Sequence, residues 1–277
     1  MNFETIRYEI EDRVARISLA RPDRGNAIVD PMPRELRAAV EAADADEQVH
    51  VIVLAGEGKI FCGGYDLGVY AEEPGDNVWS QDMPWDPTLD YRHMSRNTED
   101  FMSLWRSMTP VICKIHGAAV AGGSDIALCA DLVVMAEDAV IGYPPARVWG
   151  CPTTMMWVYR LGPERAKRML LTGDLVDGRE AADMGLVLEA VPSEDLDARV
   201  EHWAGRIASV PRNQLAMQKM VVNQAITNMG LATTQMTATL FDGITRHTPE
   251  GRAFKQRAEE VGWKQAIAER DSGDPLG

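Results

Sequence analysis

Apolar and polar positions alternate at the start of the chain. Tyr8 and Ile10, then Ala15, Ile17 and Leu19, fall between charged or polar neighbours, the period-two pattern of a strand with one buried face. The charged Glu11-Asp12-Arg13 step between the two runs predicts a hairpin over residues 6–19. After Arg21-Pro22 the period changes: Met32, Leu36, Val40 and Ala43 share one face of an amphipathic helix, and the run Val49-His50-Val51-Ile52-Val53-Leu54 reads as a buried strand. The same order returns further on. Phe101, Leu104, Trp105 and Met108 predict a helix, Val111 to Ile115 a strand, Gly122 to Cys129 a short helix and Asp131 to Ala136 another strand. Repetition of this kind predicts an α/β architecture with a partly parallel sheet. From about Glu194 the pattern is helical, with breaks near Pro211, Gly230 and Pro249. We therefore divide the chain into a core of residues 1–193 and a helical region of residues 194–277. Periodicity vanishes between Tyr70 and Asn97, where Pro74, Pro84, Pro87, Trp79 and Trp85 stand among acidic residues. That segment reads as a long loop inserted in the core, a lid over a site.

Composition narrows the classes of function. The 277 residues carry 28 Lys+Arg against 42 Asp+Glu, a net charge of −14, which argues against a surface for nucleic acid or an anionic membrane. Residues 71–100 concentrate this acidity, with eight carboxylates against Arg92 and Arg96. Cys62, Cys113, Cys129 and Cys151 are widely spaced, without a CxxC pair, so neither a zinc site nor a disulfide framework is expected. The charged, alternating N-terminus is unlike a secretory leader, and a cytoplasmic location is expected.

Two segments could carry chemistry. Lys59 to Leu67 holds the pair Gly63-Gly64 just after the strand ending at Leu54, and His116 to Asp125 runs from a strand through small residues into a helix. Glycines at a strand end allow a ligand to approach backbone amides closely, and a helix start exposes unpaired N–H donors suited to a developing oxyanion. Neither segment is a nucleotide-binding loop: Gly56-Glu57-Gly58-Lys59 lacks the phosphate-loop spacing, and Gly122-Gly123-Ser124-Asp125 is not a hydrolase nucleophile elbow. His116 reads as a core residue, and Asp66 and Asp131 as capping or pairing residues.

The order of these motifs resembles the crotonase superfamily, the enoyl-CoA hydratase/isomerase family. The resemblance rests on Arg21-Pro22 with Asn26-Ala27, on Phe61 to Leu67 and on Gly117 to Asp131. It continues through Leu170 to Asp174, Ala181 to Val187, and Glu250-Gly251 with Phe254. It implies a spiral of β-β-α units, a helical C-terminal trimerisation region, and a homotrimer or dimer of trimers. The implied chemistry is stabilisation of a thioester enolate by the backbone N–H groups of Tyr65 and Gly122. The implied Coenzyme A channel is bordered by Arg24 to Ala27 and by Gly63, Gly64, Tyr65, Asp66 and Leu67, with Lys264 beside Trp263 as a basic contact. Coenzyme A belongs to the acyl-CoA substrate, and no metal or other cofactor is implied. The two glutamates of the family's hydratases fall here on Asp125, which keeps a carboxylate, and on Pro145, which can move no proton. Tyr143, Arg147, Asp82 and Asp86 are candidates for the missing function. Water addition to a 2-enoyl-CoA by Asp125 is the leading expectation. Single-acid isomerisation, acyl-CoA hydrolysis and acyl-CoA binding without catalysis are the alternatives.

Overall fold

The computed structural model describes residues 2–74, 81 and 83–273. The chain opens with the hairpin β1 (Ile6–Glu11) and β2 (Val14–Leu19), turning at Asp12 with φ 53°. Helix α1 (Pro31–Ala45) buries Met32, Leu36, Val40 and Ala43, the stripe seen in the sequence, and leads into β3 (Val51–Gly56). A π-helical turn at Gly68–Glu72 precedes α2 (Pro87–Phe101) and the short α3 (Ser103–Arg106). The middle of the chain then alternates tightly through β4 (Val111–Ile115), β5 (Ala118–Val120), α4 (Gly122–Leu128), β6 (Leu132–Ala136) and β7 (Val140–Gly142). Next come α5 (Met156–Thr172), broken at Gly162 ahead of Pro163, then β8 (Leu175–Asp177), α6 (Gly178–Asp183) and β9 (Glu189–Val191). Among the described residues five helices follow: α7 (Leu196–Ala208), α8 (Arg212–Asn228), α9 (Leu231–His247), α10 (Pro249–Val261) and α11 (Trp263–Asp271).

Among the described residues the strands form two sheets. One runs in the order β1-β2-β3-β4-β6-β9, parallel throughout except for the β1–β2 hairpin, and the other in the order β5-β7-β8. In the first, β3 and β4 are almost wholly apolar because both faces are covered, as a central parallel strand requires. Helix α7 contributes Leu196, Val200 and Ala204 to the same core as these strands, so the first helix after residue 194 packs on the sheet. Among the described residues no helix is long and apolar enough to cross a membrane.

Two sequence expectations need correction. The structureless segment 70–97 contains most of α2, capped by Asp86, whose carboxylate accepts from the N–H groups of Thr88 at 2.9 Å and Leu89 at 3.3 Å, with Pro87 at the first helical position. The helix was hidden because its buried face is largely polar, carrying Asp90, His93, Asn97 and Thr98 beside Met94 and Phe101. Trp79 and Asp82 lie outside the described residues, and Trp85 stacks on His247 with ring centroids 4.6 Å apart. The helix expected over Phe101 to Met108 is instead the end of α2 plus one turn, and Met108 is exposed. Asp44 stops it, accepting from Ser107 Oγ at 2.7 Å and from the amides of Met108 and Thr109.

Candidate active site

The two glycine-rich segments meet. Cys62 N–H donates to Ala118 O at 3.0 Å and Val120 N–H to Cys62 O at 2.9 Å, joining the turn after β3 to β5. On its other side the same turn pairs with residues 25–28: Gly63 N–H donates to Gly25 O, Ile28 N–H to Gly64 O and Asp66 N–H to Ile28 O, at 2.8–3.0 Å. This ladder turns the Tyr65 amide away from Ile28. Gly122 starts α4, where a helix offers its first amides no acceptor. Glycine is required at Gly64 for reasons of space and conformation, and at Gly122 a side chain would press on those of Ile28 and Tyr65. Gly64 has φ 92°, and a Cβ there would lie 2.8 Å from Ala121 Cβ and 3.4 Å from the Gly122 nitrogen; a Cβ on Gly122 would lie 2.8 Å from Ile28 Cδ1. The intervening Ala121 holds φ 54°, a strained value for a residue with a side chain.

Asn26 braces this arrangement from within the core. Its carboxamide oxygen accepts from Arg21 N–H at 2.9 Å, and its amide group reaches the carbonyls of Glu57, Ile60 and Phe61 at 2.8–3.0 Å. Arg21 also binds Ala27 O and pairs with Asp66 at 3.1 Å. Asp66 is thus a pairing residue, as is Asp131, which holds Lys219 at 2.7 Å and Val111 N–H at 2.7 Å. His116 reaches Gly58 O at 3.0 Å and is half-buried, away from the cavity.

A cavity of about 230 Å³ opens beside the two turns, lined by Gly63, Tyr65, Leu67 and Gly122, and by Asp125, Tyr143 and Pro145. Gly64, Asp66, Arg24, Ala27 and Lys264 are not among its lining residues. Arg24 is exposed in the 3₁₀ turn Pro22–Arg24, and Lys264 is exposed with its ammonium 5.6 Å from the centre of the Trp263 ring. Leu67 joins Phe254, Trp149, Ala258 and Ala266 in a small apolar cluster, so α10 and α11 close on the segment after Tyr65.

Asp125 is buried in α4, and its Oδ1 accepts from the Thr154 hydroxyl at 2.6 Å. Burial pushes its carboxyl up to about 8, the Thr154 hydrogen bond opposing and the Asp242 charge adding to the shift. Asp125 is therefore a protonated acid at neutral pH, able to donate. Pro145 lines the cavity without any group that could exchange a proton. Of the candidates for its function, Tyr143 lines the cavity and burial raises its phenol well above the ordinary range. Arg147 is a tether, bonded to the carbonyls of Thr172 at 2.7 Å and Asp271 at 2.8 Å. Asp86 is the cap of α2.

Sequence reasoning missed the charges that α9 brings to the cavity and the α2 carboxylate paired with them. Asp242 and Arg246 both line it; Arg246 pairs with Asp242 and, at 2.6 Å, with Asp90 of α2, and all three are buried. The one local signal was the four-residue spacing of Asp242 and Arg246, which places both on one helix face.

A profile of the enoyl-CoA hydratase/isomerase family matches residues 9–265. A probable enoyl-CoA hydratase of Rhodobacter capsulatus is 34% identical over 219 residues, covering 78% of this chain and 79% of the relative. Among solved structures, an enoyl-CoA hydratase of Mycobacterium smegmatis is 50% identical, with a TM-score of 0.92 over 99% of this chain and 96% of that one. An enoyl-CoA hydratase/isomerase of Xanthobacter autotrophicus is 30% identical, with a TM-score of 0.89 over 99% and 100% of the two chains. With two glycine turns converging beside a buried acid, and with these relatives, the chain belongs to the enoyl-CoA hydratase/isomerase family and has the crotonase fold.

Proposed function

We propose that this protein adds water across the double bond of a 2-enoyl-CoA thioester. The observation that carries the reading is a buried, protonated Asp125 in the first turn of the helix whose leading amide belongs to Gly122. The thioester oxygen accepts from the Tyr65 and Gly122 amides, which strengthen their hold as enolate charge develops on it. Asp125 delivers the proton to the α-carbon. The arrangement uses backbone donors and proton transfer and draws on no metal or redox group; Coenzyme A enters with the substrate. Isomerisation, thioester hydrolysis and binding alone, which Pro145 left open, share the same oxyanion donors, but the relatives named as hydratases favour water addition. Asp125→Asn tests the reading: hydration of 2-butenoyl-CoA should fall by about 10²–10⁴-fold with binding of a saturated acyl-CoA retained. A full-rate variant would remove Asp125 from the mechanism.

The Coenzyme A moiety is assigned to the channel between the residue 24–27 turn and residues 63–67, with Lys264 at its rim. The protein works in the cytoplasm on this reading, consistent with four free cysteines among the described residues. Its unit is a homotrimer or a dimer of trimers. Support comes from the exposed Met217, Met220, Val221 and Val222 of α8 and Met236, Leu240 and Phe241 of α9, more apolar surface than two solvated helices ordinarily present. Sedimentation velocity reads the assembly directly; a monomer at micromolar concentration would count against it.

A further inference from the structure

Water addition needs a base for the water as well as an acid for the α-carbon, and Pro145 provides neither. We propose that Asp242, on the C-terminal helix α9, is the second catalytic carboxylate, the base that takes the proton from the attacking water. The inference rests on the hydratase reading above.

Asp242 and Asp125 line the same cavity, and one short segment holds both: Cys151 N–H donates to Asp242 Oδ1 at 2.9 Å, and the Thr154 hydroxyl donates to Asp125 Oδ1 at 2.6 Å. Three residues of chain span at most about 10 Å, which keeps the two anchor points within reach of one substrate. Tyr143 lines the cavity too, and its hydroxyl makes no hydrogen bond to the described residues, so a water held near Asp242 has a further polar atom to meet.

Both partners of Asp242, a backbone amide and the Arg246 guanidinium, are hydrogen-bond donors, so its oxygens serve as acceptors. A carboxylate offers about four acceptor sites, so two such contacts leave room for a water. Asp125, in contrast, is held protonated by burial. Asp242 is paired with a guanidinium whereas Asp125 meets the Thr154 hydroxyl, and that difference in surroundings divides the two into base and acid. Asp90 and Asp242 also share one buried arginine, so the Arg246 guanidinium is divided between two carboxyl groups and only Asp242 of the two lines the cavity.

In the step itself, the Asp242 carboxylate takes one proton from water while the water oxygen bonds to the β-carbon. The electron pair of the double bond passes into the thioester enolate, and the α-carbon then takes the Asp125 proton. One water is added, Asp242 ends protonated and Asp125 ionised. Transfer of that proton from Asp242 to Asp125 through a cavity water restores the starting state.

Two readouts in D₂O separate the roles. Hydration of 2-butenoyl-CoA requires both carboxylates; exchange of the α-proton of butyryl-CoA, above the pH at which Asp125 ionises, requires Asp125 and the oxyanion donors alone. Asp242→Asn should lose hydration by at least about 10²-fold while keeping α-exchange and butyryl-CoA affinity within about threefold of wild type. Asp125→Asn should lose both reactions. Asp242→Glu retains the charge and the Arg246 pairing but moves the oxygens by one methylene, so kcat should fall about tenfold or more with KM unchanged; this arm stands if Asp242→Asn does not fold. Wild-type hydration rates in Asp242→Asn or Asp242→Glu overturn the proposal, as does joint loss of hydration, exchange and binding in a folded Asp242→Asn. A wild-type protein that exchanges the α-proton and hydrates no enoyl-CoA instead overturns the hydratase reading beneath it.

Discussion

Two walls of the cavity are built by different means. At the oxyanion wall, the turns at Gly63–Tyr65 and Val120–Gly122 present backbone amides, and glycine is used because a Cβ at Gly64 or Gly122 would meet other atoms at 2.8 Å. At the charged wall, side chains do the work: Asp125 from α4 and Asp242 and Arg246 from α9, with Asp90 of α2 behind them, bonded to Arg246 across 156 residues. Backbone donors depend on local shape and carry a local sequence signature. Side-chain networks depend on which helices meet, and leave almost none.

The difference is open to direct attack. The largest effect is expected at the charged wall, where Arg246→Met would leave Asp90 and Asp242 buried without their cation. Loss of one partner from such a cluster costs about 3–5 kcal/mol, to be read from the shift of the urea midpoint; a loss below about 1 kcal/mol would show the cluster to be solvated rather than buried. At the oxyanion wall, Gly64→Ala places a side chain at φ 92° and against Ala121. It should cost about 1–3 kcal/mol of stability and reduce kcat more than acyl-CoA affinity. Equal effects on both constants would mean that the turn only binds.

An effect smaller per pH unit, and signed, belongs to Asp125. Its folded pKa, near 8, lies above the unfolded value near 3.8, so the folded state holds a proton that the unfolded state releases. Stability should be greatest below the unfolded pKa and fall by up to about 1.4 kcal/mol per pH unit until the folded carboxyl ionises near 8. Asp125→Asn removes this slope, becoming more stable than the wild type at pH 8 and similar at pH 4. Denaturation at the two pH values checks it, and parallel slopes in the two proteins would contradict it. The smallest effect is expected outside both walls. Lys264 is exposed, so Lys264→Ala should raise KM for a CoA thioester by about threefold or less, as a screened surface charge would, and leave a pantetheine thioester unaffected.

Legibility follows the same division. The hairpin, α1, β3, β4, α4 and β6 could be read because each couples a clear apolar period to a burial requirement. Strands β5, β7, β8 and β9 have three residues each, too few for alternation to stand out. Helix α2 passed for a loop because its buried side bonds rather than merely packs: Asp90 to Arg246, Asn97 to the Tyr65 hydroxyl at 3.4 Å and Thr98 to Thr153 at 2.7 Å. The acidity concentrated in residues 71–100 likewise changes meaning, since Asp86 caps a helix and Asp90 faces the cavity's arginine instead of solvent. Pro145 was legible as a missing acid. That α9 carries another carboxylate to the cavity depends on a tertiary contact between α2 and α9.

The account's central claim is that a protonated Asp125 delivers the α-proton to an enolate held by Tyr65 and Gly122. The pH dependence of kcat/KM for hydration of 2-butenoyl-CoA between pH 6 and pH 9.5 tests it most directly, because it reports the free enzyme's essential acid. The rate should be level near neutrality and fall through a single ionisation at about 8 as Asp125 loses its proton, with that limb absent from the residual activity of Asp125→Asn. A profile level to pH 9.5, or the same alkaline limb in Asp125→Asn, would contradict it.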